Sequence, residues 1–317
     1  MLTRREWINL TLGTSAALAF DRASLSAQQP MIMRAIPSSG EKVPIVGLGS
    51  SATFSQVARG EDVTALREVL KAFTDQGGTV FDTAPSYGAS EEVSGRLAGE
   101  LGITDKVFWA TKVNVAGRGG GGADAAAARA QIEASFTKLK KQKLDLIQVH
   151  NLGDVPTQLG ILKALKQEGR VRYIGVTTTN EGQYAALETI MRNEPLDFIG
   201  TDYAIDNREV EATILPLAQQ RKIGVLVYVP FGRTRLFTRV GDRPVPDWAK
   251  AFGATTWAQF FIKFVAAHPA VTVVTPATSQ ARHIADNLAG GRGTLPDEAT
   301  RTKMIAFVDG LPAAAAG

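Results

Sequence analysis

Four polar residues stand at the ends of apolar runs, where they could do chemistry together. Asp82 closes "TVFD", Tyr87 follows five positions later, Lys112 ends "FWATK" and His150 ends "LIQVH". A phenol with a pKa near 10 is a poor acid at neutral pH, and a neighbouring ammonium stabilises its phenolate form. We therefore predict that Lys112 lowers the pKa of Tyr87, while Asp82 keeps the lysine charged and oriented. His150 is predicted to donate a hydrogen bond to a substrate oxygen on which charge develops.

This set of side chains is suited to giving a proton to an oxygen or taking one from it. It contains no nucleophile, and no second carboxylate is placed as in a glycosidase. A hydride from a nicotinamide would complete the reaction. A metal-free isomerase or lyase that uses Tyr87 and Lys112 without a cofactor is an alternative. Each residue alone also has a structural explanation, such as capping by the aspartate or a hydrogen-bonded histidine at a rim.

The chain alternates apolar runs with amphipathic segments, which indicates the elements that would position these residues. Strands are predicted at 43–49, 79–82, 106–112, 144–150, 171–176, 196–201, 223–229 and 271–275. Helices are predicted at 61–76, 90–101, 124–140, 157–168, 181–192, 208–220, 254–267 and, as the last one, 279–288. Eight strand–helix units predict an α/β protein with a (β/α)8 barrel, in which functional side chains gather at the carboxyl ends of the strands.

A doubly wound dinucleotide-binding fold is the main alternative to the barrel. The segment from Gly47 to Ala52 nearly matches the G-x-G-x-x-G/A fingerprint. That fingerprint requires a helix to open at its third position, whereas residues 53–60 are predicted to form a loop. The barrel is therefore preferred.

Composition narrows the range of functions. The chain has 317 residues, of which 44% are hydrophobic and 21% charged, with a formal net charge of +4. It has no basic block interleaved with aromatic residues, so nucleic-acid binding is not expected. It has no cysteine and three histidines far apart in sequence, so no metal site is predicted.

The N-terminus differs in character from the rest of the chain. Residues 1–27 carry paired arginines, an apolar stretch and then small residues, the layout of an export signal, and "TRREWI" resembles the twin-arginine motif. The apolar stretch is too short for a stable membrane anchor. An amphipathic helix or a disordered segment is the alternative. We expect a single barrel over 31–310 and a disordered tail over 311–317. The protein would be periplasmic if the signal functions and cytoplasmic otherwise.

Three motifs carry a family resemblance over roughly residues 32–310. "VFDTAPSYG", "WATK" and "DLIQVH" resemble the signatures of the aldo-keto reductase superfamily. The resemblance implies reduction of a small aldehyde or ketone, with Tyr87 as general acid and base, Lys112 as its partner, Asp82 as the orienting group and His150 positioning the carbonyl. Some barrels of this family are redox-sensing subunits with little turnover, which is the alternative function. The oligomeric state is left open.

The same resemblance implies the cofactor site. It favours NADP(H) over NAD(H), with Tyr228 stacked on the nicotinamide. The cofactor contacts implied by "VTTTN", "VLVYVPFGR" and "TPATSQARHIADN" are Thr177, Thr178, Tyr228, Pro230, Phe231, Gly232, Thr278, Arg282, His283, Asp286 and Asn287. His283, with Arg282 beside it in sequence, stands where the family often has a basic residue for the 2′-phosphate. Gly200 replaces the usual glutamine of the sixth strand, and a short chain after Asn287 predicts an open substrate mouth.

Overall fold

A short antiparallel hairpin precedes the barrel. The computed structural model describes residues 29–116 and 121–311. Strands β1 (Met33–Ala35) and β2 (Lys42–Pro44) form the hairpin. The predicted export signal at 1–27 and the predicted tail from residue 312 onward lie outside the described residues.

Eight further strands, counted over the described ranges, form one parallel sheet in which each strand pairs with the next along the chain. The predicted (β/α)8 barrel is therefore confirmed. In chain order the strands are β3 (Leu48–Gly49), β4 (Val80–Asp82), β5 (Phe108–Val113), β6 (Leu144–Val149), β7 (Val171–Thr178), β8 (Phe198–Asp202), β9 (Gly224–Tyr228) and β10 (Val273–Val274).

The barrel closes along a short seam between β3 and β10. Parallel bridges join Val46 to Val274 and Gly49 to Ala277. A Cβ atom on Gly49 would lie 2.8 Å from the carbonyl oxygen of Thr275. A residue without a side chain is thus needed where the two ends of the sheet meet.

Helices surround the sheet and, apart from the last two, lie between its strands in the chain. They are α1 (Thr53–Val57), α2 (Thr64–Asp75), α3 (Ser90–Leu101), α4 (Ala125–Lys138), α5 (Val155–Gln167), α6 (Tyr184–Asn193), α7 (Ile214–Arg221), α8 (Arg235–Val240), α9 (Trp257–Ala267), α10 (Ala281–Ala289) and α11 (Glu298–Asp309).

The interior of the barrel is packed with side chains below the candidate site. One buried cluster joins inward-facing residues of the strands, such as Phe108 and Phe198, to Ile36 and Val43 of the hairpin. The hairpin therefore contributes to a solid core, and Tyr228 packs against this cluster. A packed interior leaves the carboxyl ends of the strands as the place for a functional site.

Two expectations about helices are wrong. Residues 53–60 contain the short helix α1 rather than only a loop, although a five-residue helix without a side-chain cap is not the long helix of a dinucleotide fingerprint. The helix at 279–288 is not the last one, because α11 follows it. Asp297 caps α11 by accepting a hydrogen bond from the backbone N–H of Thr300 at 2.8 Å.

Candidate active site

A buried ion pair forms the base of the site. Lys112 on β5 donates from Nζ to Oδ2 of Asp82 on β4 at 2.7 Å, and also to the carbonyl oxygen of Thr83 at 2.8 Å. Lys112 is 1% exposed and Asp82 2% exposed. Charges removed from water to this degree require a partner and further hydrogen bonds, and both are present here.

The two charges stabilise one another. Burial acts to lower the pKa of Lys112, but the attraction of Asp82 and then of Tyr87 raises it above its ordinary value. Burial raises the pKa of Asp82, and Lys112 acts against that shift. Lys112 is therefore held as an ammonium beside the phenol of Tyr87.

Tyr87 and His150 lie above this pair. Nζ of Lys112 is 5.0 Å from the centroid of the Tyr87 ring, and a hydrogen bond with Tyr87 contributes to the raised pKa of the lysine. The ring of His150, which directly follows β6, meets the Tyr87 ring edge-on with centroids 5.9 Å apart. Oγ of Ser86 lies 3.4 Å from Nδ1 of His150. The structure thus brings together the four residues at the strand ends.

A second phenol joins the network from β9. The Tyr228 hydroxyl donates to Oδ1 of Asp82 at 3.1 Å and accepts from Nε2 of Gln148 at 3.0 Å. Nζ of Lys112 lies 5.1 Å from the centroid of the Tyr228 ring. Burial, followed by the charge of Asp82, raises the pKa of Tyr228 well above its ordinary value. Tyr228 is therefore a neutral donor.

Gln148 is a further polar residue of this network that was not predicted, although the sequence carries a signal for it. Gln148 lies two positions after Leu146 in β6, so both side chains face the barrel interior. A fully buried amide requires a polar partner, and Tyr228 supplies one to Nε2 of Gln148.

The network opens into one large cavity of about 850 Å³. Asp82, Tyr87 and His150 line it. Of the residues that the sequence implies for a cofactor, those lining the cavity are Thr177, Tyr228, Pro230, Phe231, Thr278, His283, Asp286 and Asn287. The cavity is thus continuous from the proton-transfer groups to α10.

Three of the implied cofactor residues, Thr178, Gly232 and Arg282, are absent from the cavity lining. The hydroxyl of Thr178 donates to Oε1 of Gln183 at 2.6 Å, and Thr179 lines the cavity as Thr177 does. Nε of Arg282 donates to Oε1 of Gln280 at 2.9 Å. Alternation along the strand end places Thr178 on the opposite side from its neighbours.

The far end of the cavity is fixed by side-chain hydrogen bonds. Asp286 on α10 accepts from the hydroxyl of Thr256 at 2.9 Å and from Nε2 of Gln259 at 2.7 Å. Gln259 belongs to α9, so these bonds tie α10 to the start of the preceding helix. The wall that carries His283 and Asn287 is therefore preorganised.

Two classes of feature are absent from residues 29–116 and 121–311. They include no group of three or more histidine, aspartate or glutamate side chains that could hold a metal ion. Over the same ranges, no helix is long and apolar enough to cross a membrane.

Comparison with known proteins gives the following similarities. Residues 45–302 match the sequence model of the Aldo/keto reductase family. The aldo-keto reductase YhdN of Bacillus subtilis is 32% identical over 201 residues, which are 61% of this chain and 60% of that protein. The chain therefore matches about three fifths of the length of that relative.

Solved structures agree with the fold. An aldo-keto reductase from Klebsiella pneumoniae in complex with NADPH superposes with a TM-score of 0.71 at 25% identity, covering 88% of this chain and 96% of that one. An aldo-keto reductase from Bacillus halodurans superposes with a TM-score of 0.70 at 21% identity over 88% of this chain and 96% of that one, a likeness of fold.

Proposed function

This chain belongs to the aldo/keto reductase family, and from that premise we propose that it is an NADP(H)-dependent oxidoreductase. It reduces a small aldehyde or ketone to the alcohol and catalyses the reverse oxidation. The observation that carries the proposal is the buried pair of Lys112 and Asp82 directly beside Tyr87, at the base of a large cavity. No metal enters the proposed chemistry.

The cavity has room for a nicotinamide dinucleotide. Its volume of about 850 Å³ lies within the roughly 300–1,000 Å³ of ligand pockets. The residues that would hold the cofactor are Thr177, Tyr228, Pro230, Phe231, Thr278, His283, Asp286 and Asn287, with Arg282 beside them in sequence. When bound, NADPH supplies a hydride. The preference for NADP(H) is supported by the NADPH complex of the Klebsiella pneumoniae relative.

Tyr87 is proposed to move the proton. In the direction of reduction its hydroxyl gives a proton to the carbonyl oxygen, and the resulting phenolate faces the ammonium of Lys112. Asp82 holds that ammonium in place through a 2.7 Å contact. His150 donates a hydrogen bond to the same oxygen and so fixes the carbonyl next to Tyr87.

Replacing the phenol by a phenyl ring tests this assignment. Tyr87→Phe is expected to lower kcat for aldehyde reduction by at least about 100-fold, since general acid catalysis is typically worth 10²–10⁴. NADPH binding, followed by quenching of protein fluorescence, is expected to stay close to that of the wild type. Tyr173→Phe is the control, because that hydroxyl binds Ser39 and Glu41 instead. Wild-type turnover by Tyr87→Phe would refute the proposal.

A regulatory module of the same fold, which binds the cofactor with little turnover, is the second candidate. It is favoured by Gly200, which offers no side chain where the family has a glutamine to hold the nicotinamide carboxamide. Tight NADPH binding with negligible turnover on a panel of aldehydes and ketones would support it over the reductase.

We further propose, from the sequence alone, that residues 1–27 direct export by the twin-arginine route and that the mature protein is periplasmic. Replacing Arg4 and Arg5 together by lysine is expected to retain the protein in the cytoplasm of the producing cell. Cell fractionation with an antibody measures this. A wild-type chain found wholly in the cytoplasmic fraction would refute export.

A further inference from the structure

The hydroxyl of Tyr228 has a place in the acid–base network that stacking on a cofactor does not require. It donates to Oδ1 of Asp82, while Lys112 occupies Oδ2 of the same carboxylate. Gln148 in turn donates to the hydroxyl oxygen of Tyr228. Asp82 is thus held from both sides, one oxygen by a cation and the other by a neutral phenol.

Gly200 makes room for this arrangement. Gly200 on β8 pairs with Leu226 on β9, so Tyr228 emerges two residues beyond that pair. A Cβ atom at position 200 would lie 2.4 Å from Cε2 of Tyr228 and 2.6 Å from its hydroxyl oxygen. Contacts below 3.0 Å force a shift, so even alanine at 200 would displace the ring. The missing side chain on β8 and the placement of the phenol are two parts of one feature.

We propose that Tyr228 is a positioning residue of the acid–base centre: its hydroxyl fixes the carboxylate of Asp82 on Lys112, and Gly200 is the residue that admits it. The inference rests on the proposed reductase function. A hydrogen-bond donor on Oδ1 also draws negative charge away from the rest of the carboxylate. Asp82 then offsets a smaller part of the positive charge of Lys112. The field that Lys112 exerts on Tyr87 is then stronger, which favours the phenolate form.

Several charged or titratable groups surround Tyr87. They include Asp82, Lys112, His150, Tyr228 and, packed against Gly88, Arg59. Among the other groups, Asp82 is the one that the Tyr228 hydroxyl contacts, so removing that hydroxyl acts on Tyr87 through Asp82. Removal of the Tyr228 hydroxyl is therefore expected to raise the pKa of Tyr87.

Tyr228→Phe tests the proposal because it keeps the ring and removes only the hydroxyl. The measurement is kcat/KM for aldehyde reduction at saturating NADPH against pH, whose basic limb reports the ionisation of the general acid. We expect this limb to move to higher pH by roughly half a unit to one unit, a fraction of what a direct charge contact gives. The dissociation constant of NADPH should change by less than about twofold, because the ring remains.

Two further variants sharpen the test. Gly200→Ala should move the limb in the same direction, and Gly200→Ala/Tyr228→Phe should move it no further than Tyr228→Phe alone. Tyr173→Phe is the matched control, since it removes a phenol–carboxylate bond, to Glu41, elsewhere in the barrel. Its basic limb should coincide with that of the wild type.

The outcomes separate this inference from the function on which it rests. A basic limb of Tyr228→Phe that stays in place or moves to lower pH overturns the role of Tyr228, while an inactive Tyr87→Phe still supports the reductase. If Tyr228→Phe turns over too slowly to titrate, the phenolate of Tyr87 is followed instead by difference absorbance between Tyr228→Phe and Tyr87→Phe/Tyr228→Phe. The pKa of Tyr87 measured in this way is expected to be higher than in the protein that retains the Tyr228 hydroxyl.

Discussion

Lys112→Met should destabilise the protein far more than the loss of a surface ion pair does. The variant leaves the carboxylate of Asp82 buried at 2% exposure without its cation. Breaking a buried pair by removing one partner costs about 3–5 kcal/mol in the free energy of unfolding. For a barrel of this size that corresponds to a fall in Tm of roughly 5–8 °C.

The chain offers a matched control in Lys141 and Asp105. Their N–O distance of 2.6 Å is close to the 2.7 Å of the buried pair, but the Asp105 side chain is 92% exposed. Lys141→Met should therefore cost less than about 1 kcal/mol. Urea titrations followed by circular dichroism give the free energies for both variants and the wild type.

The pH dependence of these free energies adds a test of sign. In Lys112→Met, burial keeps the folded-state pKa of Asp82 above its unfolded value. The contribution of Asp82 to the free energy of unfolding is therefore fully present below about pH 4 and is lost as the pH rises through the raised pKa. In the wild type, the raised pKa of Lys112 means that its contribution is full below about pH 10 and is lost above the folded-state value. The free energy of unfolding of Lys112→Met should therefore increase when the pH is lowered from neutral.

A double variant completes the experiment. Asp82→Leu/Lys112→Met removes both charges and should be more stable than Lys112→Met alone, because no unpaired charge remains. The reasoning is refuted if Lys112→Met costs no more than Lys141→Met, or if the double variant is the less stable of the two.

Three further predictions concern the substrate, the fold and the cofactor. His150→Phe should lower kcat/KM for aldehyde reduction by about 10²–10³ without changing the NADPH dissociation constant, as expected for a lost donor to the reacting oxygen; an unchanged kcat/KM contradicts that role. Asp297→Ala should lower the free energy of unfolding by about 1 kcal/mol in urea titrations, because alanine removes the cap of α11. Asp297→Asn should retain most of the wild-type stability, since asparagine can still cap, and equal losses in the two variants would contradict the capping role. Arg282→Ala/His283→Ala should raise the NADPH dissociation constant by about tenfold in fluorescence titrations and leave that of NADH unchanged, and equal effects would refute 2′-phosphate recognition.

The barrel could be predicted from sequence because its signal is local and repeated. Most strands are short, mainly buried segments rich in Val, Ile, Leu and Phe, and amphipathic helices lie between them. The carboxyl ends of parallel strands meet at one rim, so the positions of Asp82, Lys112 and His150 at strand ends were sufficient to place them together.

The contacts among distant strands could not be predicted in the same way. Tyr228 meets Asp82 and Gln148 only after β4, β6 and β9 have taken their places in the sheet, and Gly200 alone gave no reason to expect it. Which of two adjacent threonines faces the cavity depends on a one-residue alternation, and a sequence pattern does not fix that register. The helix α11 was missed although Asp297 supplied a capping signal for it.

The seam between β3 and β10 has a consequence for the order in which the molecule is made. Gly49 and Ala277 form one of its bridges, and both line the cavity. A ribosome has therefore released nearly the whole barrel before the second side of the cavity wall exists, and no shorter nascent chain can hold a ligand across it. A ligand that spans the seam binds only the closed barrel and so favours closure by mass action. Binding of such a ligand is thereby coupled to closure of the seam.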